Sequence, residues 1–175
     1  ARDIIIVTIK RHATRFLELI KLSEFHPKPK LIFDEIPFQG PMIGIISGMQ
    51  VAHHDGCLVV PCDVPLLKLE VLQELIKQFE QIHYTSAVIP RWPNSYIEPL
   101  TAIYRKSLFL EPCRRYFEQG ERRLIKVLAT IPRVRYMDIE QFRKVDPELV
   151  SFFNINTEKD YLKLEALYEK IRALE

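Results

Sequence analysis

The chain has 175 residues, a formal net charge of +2 and 47% hydrophobic residues, which together indicate an ordinary globular protein of one domain. The weak positive charge gives no argument for a nucleic acid or a membrane surface as partner. No apolar run could span a bilayer and no signal-peptide pattern is visible, so we expect a cytoplasmic protein. The three cysteines (Cys57, Cys62 and Cys113) match no zinc-ligand spacing and are predicted to be reduced.

The first half of the chain alternates predicted strands and helices. Residues 3–9 form a continuous run rich in β-branched side chains, which is typical of a parallel strand buried on both faces. Helical spacing of apolar residues follows a polar turn at 10–12, and two prolines then break the chain. The further predicted elements of this half are a strand at 30–33, a helix at 42–52, a strand at 57–61 and a helix at 69–79.

In the second half, two predicted strands at 86–89 and 101–104 follow each other without an intervening helix, which favours a local antiparallel pair. Beyond them we predict a helix from Ser107 to near Gly120, a short helix at 121–128, a strand at 133–139, a closing strand at 152–156, and a capping box at 157–160 that opens the last helix. The alternation predicts an α/β fold with a mostly parallel sheet and no internal domain boundary.

The stretch from Asp34 to Pro65 carries the pattern most suggestive of a ligand site. Asp34 and Asp63 each follow a predicted buried strand, and ligands of open α/β sheets bind beyond the carboxyl ends of the strands. Between them, Gly40-Pro41 precedes a helix, whose free N–H groups attract an anion. Two acids and a helix start suit a metal-bound phosphate. The alternative is a pair of ordinary strand ends and a capped helix.

Two glycines one turn apart, Gly44 and Gly48, lie in the helix that follows. Glycine at both positions would allow the helix to pack closely on the sheet. For Gly44 the functional alternative is that it keeps the ligand loop open, whereas for Gly48 packing is the expected role.

Five blocks of sequence, in order along the chain, resemble one family. They are Asp34 with Gly40-Pro41-Met42-Ile43-Gly44-Ile45, Pro61-Cys62-Asp63-Val64-Pro65, Glu98-Pro99-Leu100-Thr101-Ala102-Ile103-Tyr104, Gly120-Glu121-Arg122-Arg123, and Phe153-Asn154-Ile155-Asn156-Thr157. Together they are similar to the molybdenum cofactor guanylyltransferases, the MobA-type nucleotidyltransferases. The resemblance implies a Rossmann-like fold with three α/β/α layers.

The reaction that the resemblance implies is Mg²⁺-dependent transfer of GMP from GTP to molybdopterin, with release of pyrophosphate. Asp63 matches the family's catalytic, metal-binding aspartate. Asp34, Gly40, Pro41 and Gly44 match the nucleotide site. Arg122, Arg123, Asn154 and Asn156 match the molybdopterin side, where Glu98 is also expected. Other molybdenum cofactor biosynthesis proteins are implied as partners. An arginine pair can bind a phosphate bidentately, and a hard cation held by carboxylates neutralises phosphate charge.

The chain departs from the family pattern in two places. The family has a strand and a Gly-rich triphosphate loop with a lysine ahead of the strand that residues 3–9 resemble, and we expect that the single domain of residues 1–175 lacks both. In addition, Lys10 precedes Arg11-His12 where the family often has an asparagine for the guanine base. Lysine has no acceptor oxygen, so the choice of base is open at Lys10.

Two alternatives to a molybdopterin guanylyltransferase stay open at this point. One is a related nucleotidyltransferase that acts on a phospho-acid, cobinamide or a sugar phosphate. The other is a non-catalytic module that binds a nucleotide or a pterin. The loop from Trp92 to Tyr96 and the Arg122-Arg123 pair are where we expect acceptor specificity to be determined.

Overall fold

The computed structural model describes residues 3–34 and 40–172, with side chains described through Tyr168. Its strands are β1 (Ile5–Thr8), β2 (Lys30–Phe33), β3 (Gly56–Val59), β4 (Ala87–Arg91), β5 (Ala102–Arg105) and β6 (Val134–Asp138). Its α-helices are α1 (Ala13–Leu22), α2 (Pro41–Val51), α3 (Leu69–Gln81), α4 (Lys106–Glu118), α5 (Leu124–Leu128) and α6 (Glu158–Arg172). Short 3₁₀ helices lie at Lys10–His12, Ile139–Lys144 and Val150–Phe152.

Within the described residues the strands form two sheets. β1 pairs in parallel with β2, and the other four strands follow the order β3-β5-β4-β6. In the larger sheet, β5 is antiparallel to both of its neighbours while β4 and β6 are parallel. The predicted antiparallel pair between β4 and β5 is therefore confirmed. The larger sheet is mixed because β5 runs opposite to β3, β4 and β6, which agrees with the predicted mostly parallel sheet and its local antiparallel pair.

Both faces of the four-stranded sheet are covered, which gives the three layers. Alternate residues of β4 and β5 point to opposite faces, as a period of two requires. Ala87, Ile89 and Tyr104 pack with α2, α4 and α5 on one face. Val88 and Ile103 pack on the other face with α3 and the 3₁₀ segments that follow β6. The predicted α/β/α architecture is confirmed.

Helix α2 begins at the predicted place and for the predicted reason. Gly40 precedes it with φ 79° and ψ −177°, and Pro41 occupies its first turn. Such a conformation strongly favours glycine, because a Cβ would crowd the backbone there. The helix is apolar on most sides and buries four large side chains: Met42, Ile45, Ile46 and Met49. It packs against β1, β2 and α4, and its buried side chains share a core cluster with Ala87 and Tyr104 of the larger sheet, so α2 links the two sheets.

Strand β1 is less buried than its sequence predicts. All four of its residues are only half-buried, and neither α1 nor β2 contributes a buried residue. Among the described residues β1 has a strand neighbour on one edge only, namely β2. The prediction of a strand buried on both faces is therefore wrong in degree, because burial depends on neighbours that the apolar run itself does not specify.

Two predicted boundaries in the second half are also wrong. Residues 152–156 do not form a strand: Phe152 ends a 3₁₀ helix, and the chain then runs on without a β-ladder. The helix predicted from residue 121 begins at Leu124 instead. The Glu121 carboxylate accepts hydrogen bonds from the next two backbone N–H groups, at 2.9 Å each, and this local bonding competes with the helix.

The final helix and its cap are confirmed. The Thr157 hydroxyl accepts a hydrogen bond from the N–H of Asp160, and the Asp160 carboxylate accepts one from the N–H of Thr157. Through the described part of the chain, no helix combines the length and the apolar character that crossing a membrane requires.

Candidate functional site

Asp34 lies where the sequence analysis places it, directly after β2 at the carboxyl end of the two-stranded sheet. Its N–H donates to the carbonyl of Thr8, at the end of β1, over 2.9 Å. The carboxylate is half-buried, and its Oδ1 atom is buried and has no hydrogen-bond partner among residues 3–34 and 40–168. Burial therefore raises the pKa of Asp34, because desolvation disfavours the charged form. An unpaired buried oxygen of this kind is a candidate for contact with a ligand.

The start of α2 faces the same carboxylate. A Cβ built on Gly44 would lie 3.9 Å from both carboxylate oxygens of Asp34 and from Val7 Cγ1, which is ordinary van der Waals distance. A Cβ on Gly48 would lie 3.2 Å from Val7 Cγ2, which is tight. Close packing is thus confirmed as the role of Gly48, whereas sterics do not require glycine at Gly44. The loop between Asp34 and Gly40 lies outside the described residues.

Lys10 lies at the same end of β1, exposed, in the 3₁₀ helix Lys10–His12. Because β1 and β2 are parallel, with Thr8 opposite Phe33, their carboxyl ends meet at one edge of the small sheet. Lys10, Asp34 and the start of α2 therefore belong to the same region, as the nucleotide-site prediction needs.

Asp63 lies in a turn four residues beyond the end of β3, rather than directly at the strand end. It is half-buried. Its backbone carbonyl accepts a hydrogen bond from the N–H of Ile155 over 2.8 Å. The two exposed asparagines Asn154 and Asn156 flank that donor, so the structure brings three of the predicted site residues together. A single hydrogen bond, not a strand pairing, makes this contact.

Glu98 lies in the connection between β4 and β5. The indole Nε1–H of Trp92 donates to its carboxylate over 2.7 Å. Burial raises the pKa of Glu98, and the indole hydrogen bond opposes that rise. The connection is closed by hydrogen bonds from Glu98 N–H to Pro90 and from Trp92 N–H to Tyr96. Sequence reasoning missed Trp92 as the partner of Glu98, although their separation of six residues across a hairpin is a usable signal.

The arginine pair lies at the end of α4, in contacts with its own neighbours. Arg123 forms two hydrogen bonds of 2.9 Å with the two carboxylate oxygens of Glu121, and these hold the pKa of Glu121 near 2. Arg122 donates to the carbonyl of Phe117 and lies over its ring at 3.9 Å from the centroid. Arg123 is two-thirds exposed, so its guanidinium can exchange Glu121 for a phosphate. A role for either arginine in phosphate binding stays a prediction.

The residues present can be compared with the needs of a Mg²⁺ ion. No group of three or more His, Cys, Asp or Glu side chains assembles within residues 3–34 and 40–168. Mg²⁺ commonly uses only one or two carboxylates and completes its octahedron with water and substrate phosphates. Asp63, half-buried in a turn, and Asp34, with its unpaired oxygen, are carboxylates of the required kind. The residues therefore fit a Mg²⁺ ion that arrives with a nucleotide. Among the described residues, no hydrogen bond or ion pair connects Asp34 to Asp63.

Comparison with known proteins identifies the family. The model of the MobA-like NTP transferase domain matches residues 1–134. The molybdenum cofactor guanylyltransferase of Desulfosudis oleivorans is 37% identical over 136 residues, which cover 78% of this chain and 65% of that protein. The probable molybdenum cofactor guanylyltransferase of Pyrococcus furiosus is 34% identical over 139 residues, covering 78% of this chain and 67% of the relative.

A solved structure with this fold is molybdopterin-guanine dinucleotide biosynthesis protein A of Archaeoglobus fulgidus. It is 31% identical, with a TM-score of 0.76, and the match covers 95% of this chain and 78% of that one. The matched part of the chain corresponds to about two-thirds of the length of the two curated relatives, 65% and 67%. Since the family model matches most of the chain and the sequence relatives agree with it, the chain belongs to the MobA-like NTP transferase domain family.

Proposed function

We propose that the complete protein transfers GMP from GTP to molybdopterin and releases pyrophosphate, and that residues 1–175 act in it as a single nucleotidyltransferase domain. The observation that carries the proposal is the backbone hydrogen bond from Ile155 N–H to Asp63 C=O, which joins the Asp63 turn to the segment that contains Asn154 and Asn156. The similarity to the molybdenum cofactor guanylyltransferase of Desulfosudis oleivorans and the probable one of Pyrococcus furiosus supports the same reaction.

On the nucleotide side, the protein supplies the region formed by Lys10, Asp34 and the start of α2. The first N–H groups of α2 have no partner within the helix and suit phosphate oxygens. The Asp34 carboxylate lies next to Gly44 of α2, and its Oδ1 has no hydrogen-bond partner in the described part of the chain. Asp63 would hold Mg²⁺, which when bound neutralises the charge that develops on the phosphate oxygens.

On the acceptor side, the amides of Asn154 and Asn156 can donate to the terminal phosphate of molybdopterin and orient its attacking oxygen. Arg123 can add a bidentate contact if it leaves Glu121. Glu98, held by Trp92, is an acceptor for N–H groups of the pterin. Phe152, in the segment that ends in Asn156, contacts Trp92, in the β4–β5 connection, with ring centroids 6.3 Å apart. This contact joins the asparagine segment to the connection that carries Glu98.

The first experiment is pyrophosphate release by the complete protein with GTP, Mg²⁺ and molybdopterin. Replacing the proposed metal ligand, in Asp63→Asn, is expected to lower turnover on the order of a hundredfold or more while leaving the melting temperature nearly unchanged. Glu80→Gln, an exposed change on α3, is the matched control and should behave like the wild type. Unaltered turnover of Asp63→Asn would remove Asp63 from the metal site.

A second set of experiments tests which nucleotide base the protein prefers and which phosphate acceptor it uses. Because Lys10 occupies the place at which the family often has an asparagine, titration calorimetry should compare GTP with CTP in the presence of Mg²⁺. The proposal expects GTP to bind more tightly, and equal binding would contradict the guanine assignment. Turnover with cobinamide or a sugar phosphate in place of molybdopterin would favour a related nucleotidyltransferase. Nucleotide binding without any pyrophosphate release would favour a non-catalytic module.

A further inference from the structure

Asp146 is the most deeply buried carboxylate among the described residues, with no exposed surface. Its Oδ1 lies 3.2 Å from the ammonium of Lys68, an ion-pair distance, although this oxygen has no hydrogen-bond partner among the described residues. Its Oδ2 accepts a hydrogen bond from the N–H of Ser151 over 2.8 Å. A buried charge is costly, and an ion pair of this kind is commonly no better for stability than a well-packed hydrophobic pair. Since stability does not explain this ion pair, we expect it to determine which segments of the chain lie side by side.

Both partners of Asp146 belong to segments that carry predicted site residues. Lys68 follows Asp63 by five residues, and Ser151 precedes Asn154 by three. The N–H of Lys68 also donates to the Ser151 hydroxyl over 3.0 Å. These three contacts, which we call the 68–146–151 latch, join the end of the Asp63 turn to the start of the asparagine segment.

The two segments are then joined again further along, where Ile155 N–H donates to Asp63 C=O over 2.8 Å. Between the two points of attachment, Phe152 packs edge-on against Phe142, with ring centroids 5.4 Å apart, and also contacts Trp92. With both ends and the middle of residues 151–155 held, the asparagines that flank Ile155 have a defined position relative to Asp63.

We infer that Asp146 is a positioning residue for the acceptor side of the transfer site: through the latch it holds Asn154 and Asn156 beside Asp63. The inference rests on the proposed function for the identity of the acceptor, but its geometrical part stands on the contacts alone. Asp146 acts through these contacts and not by touching either substrate. A misplacement of about 1 Å in a transfer site can lower the rate on the order of a hundredfold, so a remote positioning residue can matter to catalysis.

The test compares Asp146→Asn with Ser151→Ala in the complete protein. The first keeps an acceptor for the Ser151 N–H but removes the charge, and the second removes only the acceptor for the Lys68 N–H. Both should raise the KM for molybdopterin roughly tenfold with the KM for GTP changed less than about twofold. Val127→Ala, a fully buried change on the opposite face of the sheet, controls for general loss of stability and should leave the ratio of the two KM values unaltered.

A second readout does not need the transfer reaction. Amide hydrogen exchange at Ser151 and Ile155 should become about tenfold faster in Asp146→Asn, relative to the amides of β4, and Val127→Ala should not produce this local difference. If Asp146→Asn does not fold, Ser151→Ala decides by the same measurement. Unchanged exchange at Ile155, or equal changes in both KM values, would overturn the inference. If the wild type does not transfer GMP but Asp146→Asn shows the expected faster exchange, the proposed function is rejected while the positioning role of the 68–146–151 latch still holds.

Discussion

At the scale of single residues, the pairing of Glu98 with Trp92 offers a direct measurement. Burial raises the pKa of the Glu98 carboxyl, and the indole N–H opposes this by favouring the charged form. Since the sequence has one tryptophan, indole fluorescence comes from Trp92, whose N–H is bonded to this carboxylate. We expect the fluorescence of Trp92 to change in a transition centred above the ordinary glutamate value of about 4.3.

The same pair fixes the sign of its pH effect on stability. Because the folded-state pKa of Glu98 lies above its unfolded value, its contribution is fully present below the unfolded pKa and is lost as pH rises through the folded pKa. Glu98→Gln should therefore abolish the fluorescence transition and reduce the fall in melting temperature across that range. A transition that persists in Glu98→Gln, or one centred below the ordinary value, would contradict the assignment.

Gly44 and Gly48 form a matched pair for separating packing from ligand binding. Alanine is favoured over glycine by up to about 1 kcal/mol in a helix interior. At Gly44 the added methyl would meet its neighbours at 3.9 Å, so Gly44→Ala should raise the free energy of unfolding by about 0.5–1 kcal/mol. At Gly48 the 3.2 Å approach to Val7 should cancel or reverse that gain.

The two variants should rank in the opposite order for nucleotide binding: Gly44→Ala, the more stable variant, should bind GTP more weakly than Gly48→Ala. The methyl of Gly44→Ala would lie beside the Asp34 carboxylate, so we expect weaker GTP binding by this more stable variant. Denaturant unfolding and titration calorimetry on both variants test the two parts separately. If Gly44→Ala bound GTP as tightly as the wild type, Gly44 would have only a packing role.

At the scale of elements, the sequence predicts the bounds of strongly periodic segments well, but it predicts their burial and their packing partners poorly. The bounds of β2, the start of α3 and the cap of α6 follow from local patterns, and the structure agrees with them. The segment 152–156 was misassigned because its apolar residues contact rings and a turn instead of a strand. The half-burial of β1 depends on neighbouring elements, which its own apolar run cannot specify.

The candidate site shows the same division. Motifs predict Asp34, Asp63, Glu98 and the asparagines as site residues, and the structure shows which partners contact them. Lys68 and Ser151 are 83 residues apart in sequence, and nothing local to either indicates that Asp146 joins them. Long-range contacts of this kind depend on how the layers pack, so a single sequence without homologues gives no signal for them.

At the scale of the whole molecule, the described strands divide into two sheets of unequal burial. The residues of β1, α1 and β2 are all exposed or half-buried. In contrast, the four-stranded sheet has fully buried residues, such as Val88 in β4 and Ala102 in β5. Local stability follows buried apolar contact, so the two sheets should open with different free energies even though α2 packs on both. The predicted nucleotide region lies on the less buried sheet.

Hydrogen exchange on the 175-residue chain tests this division. The amides of Ile6 and Ile32, in the β1–β2 pair, should exchange at least about a hundredfold faster than those of Val88 and Ile103. GTP with Mg²⁺ should slow exchange in the β1–β2 pair more than in the larger sheet, because a ligand stabilises the region that it binds. Exchange at one uniform rate would show that the sheets unfold together. Equal slowing by GTP everywhere would contradict the proposed placement of the nucleotide against the β1–β2 pair.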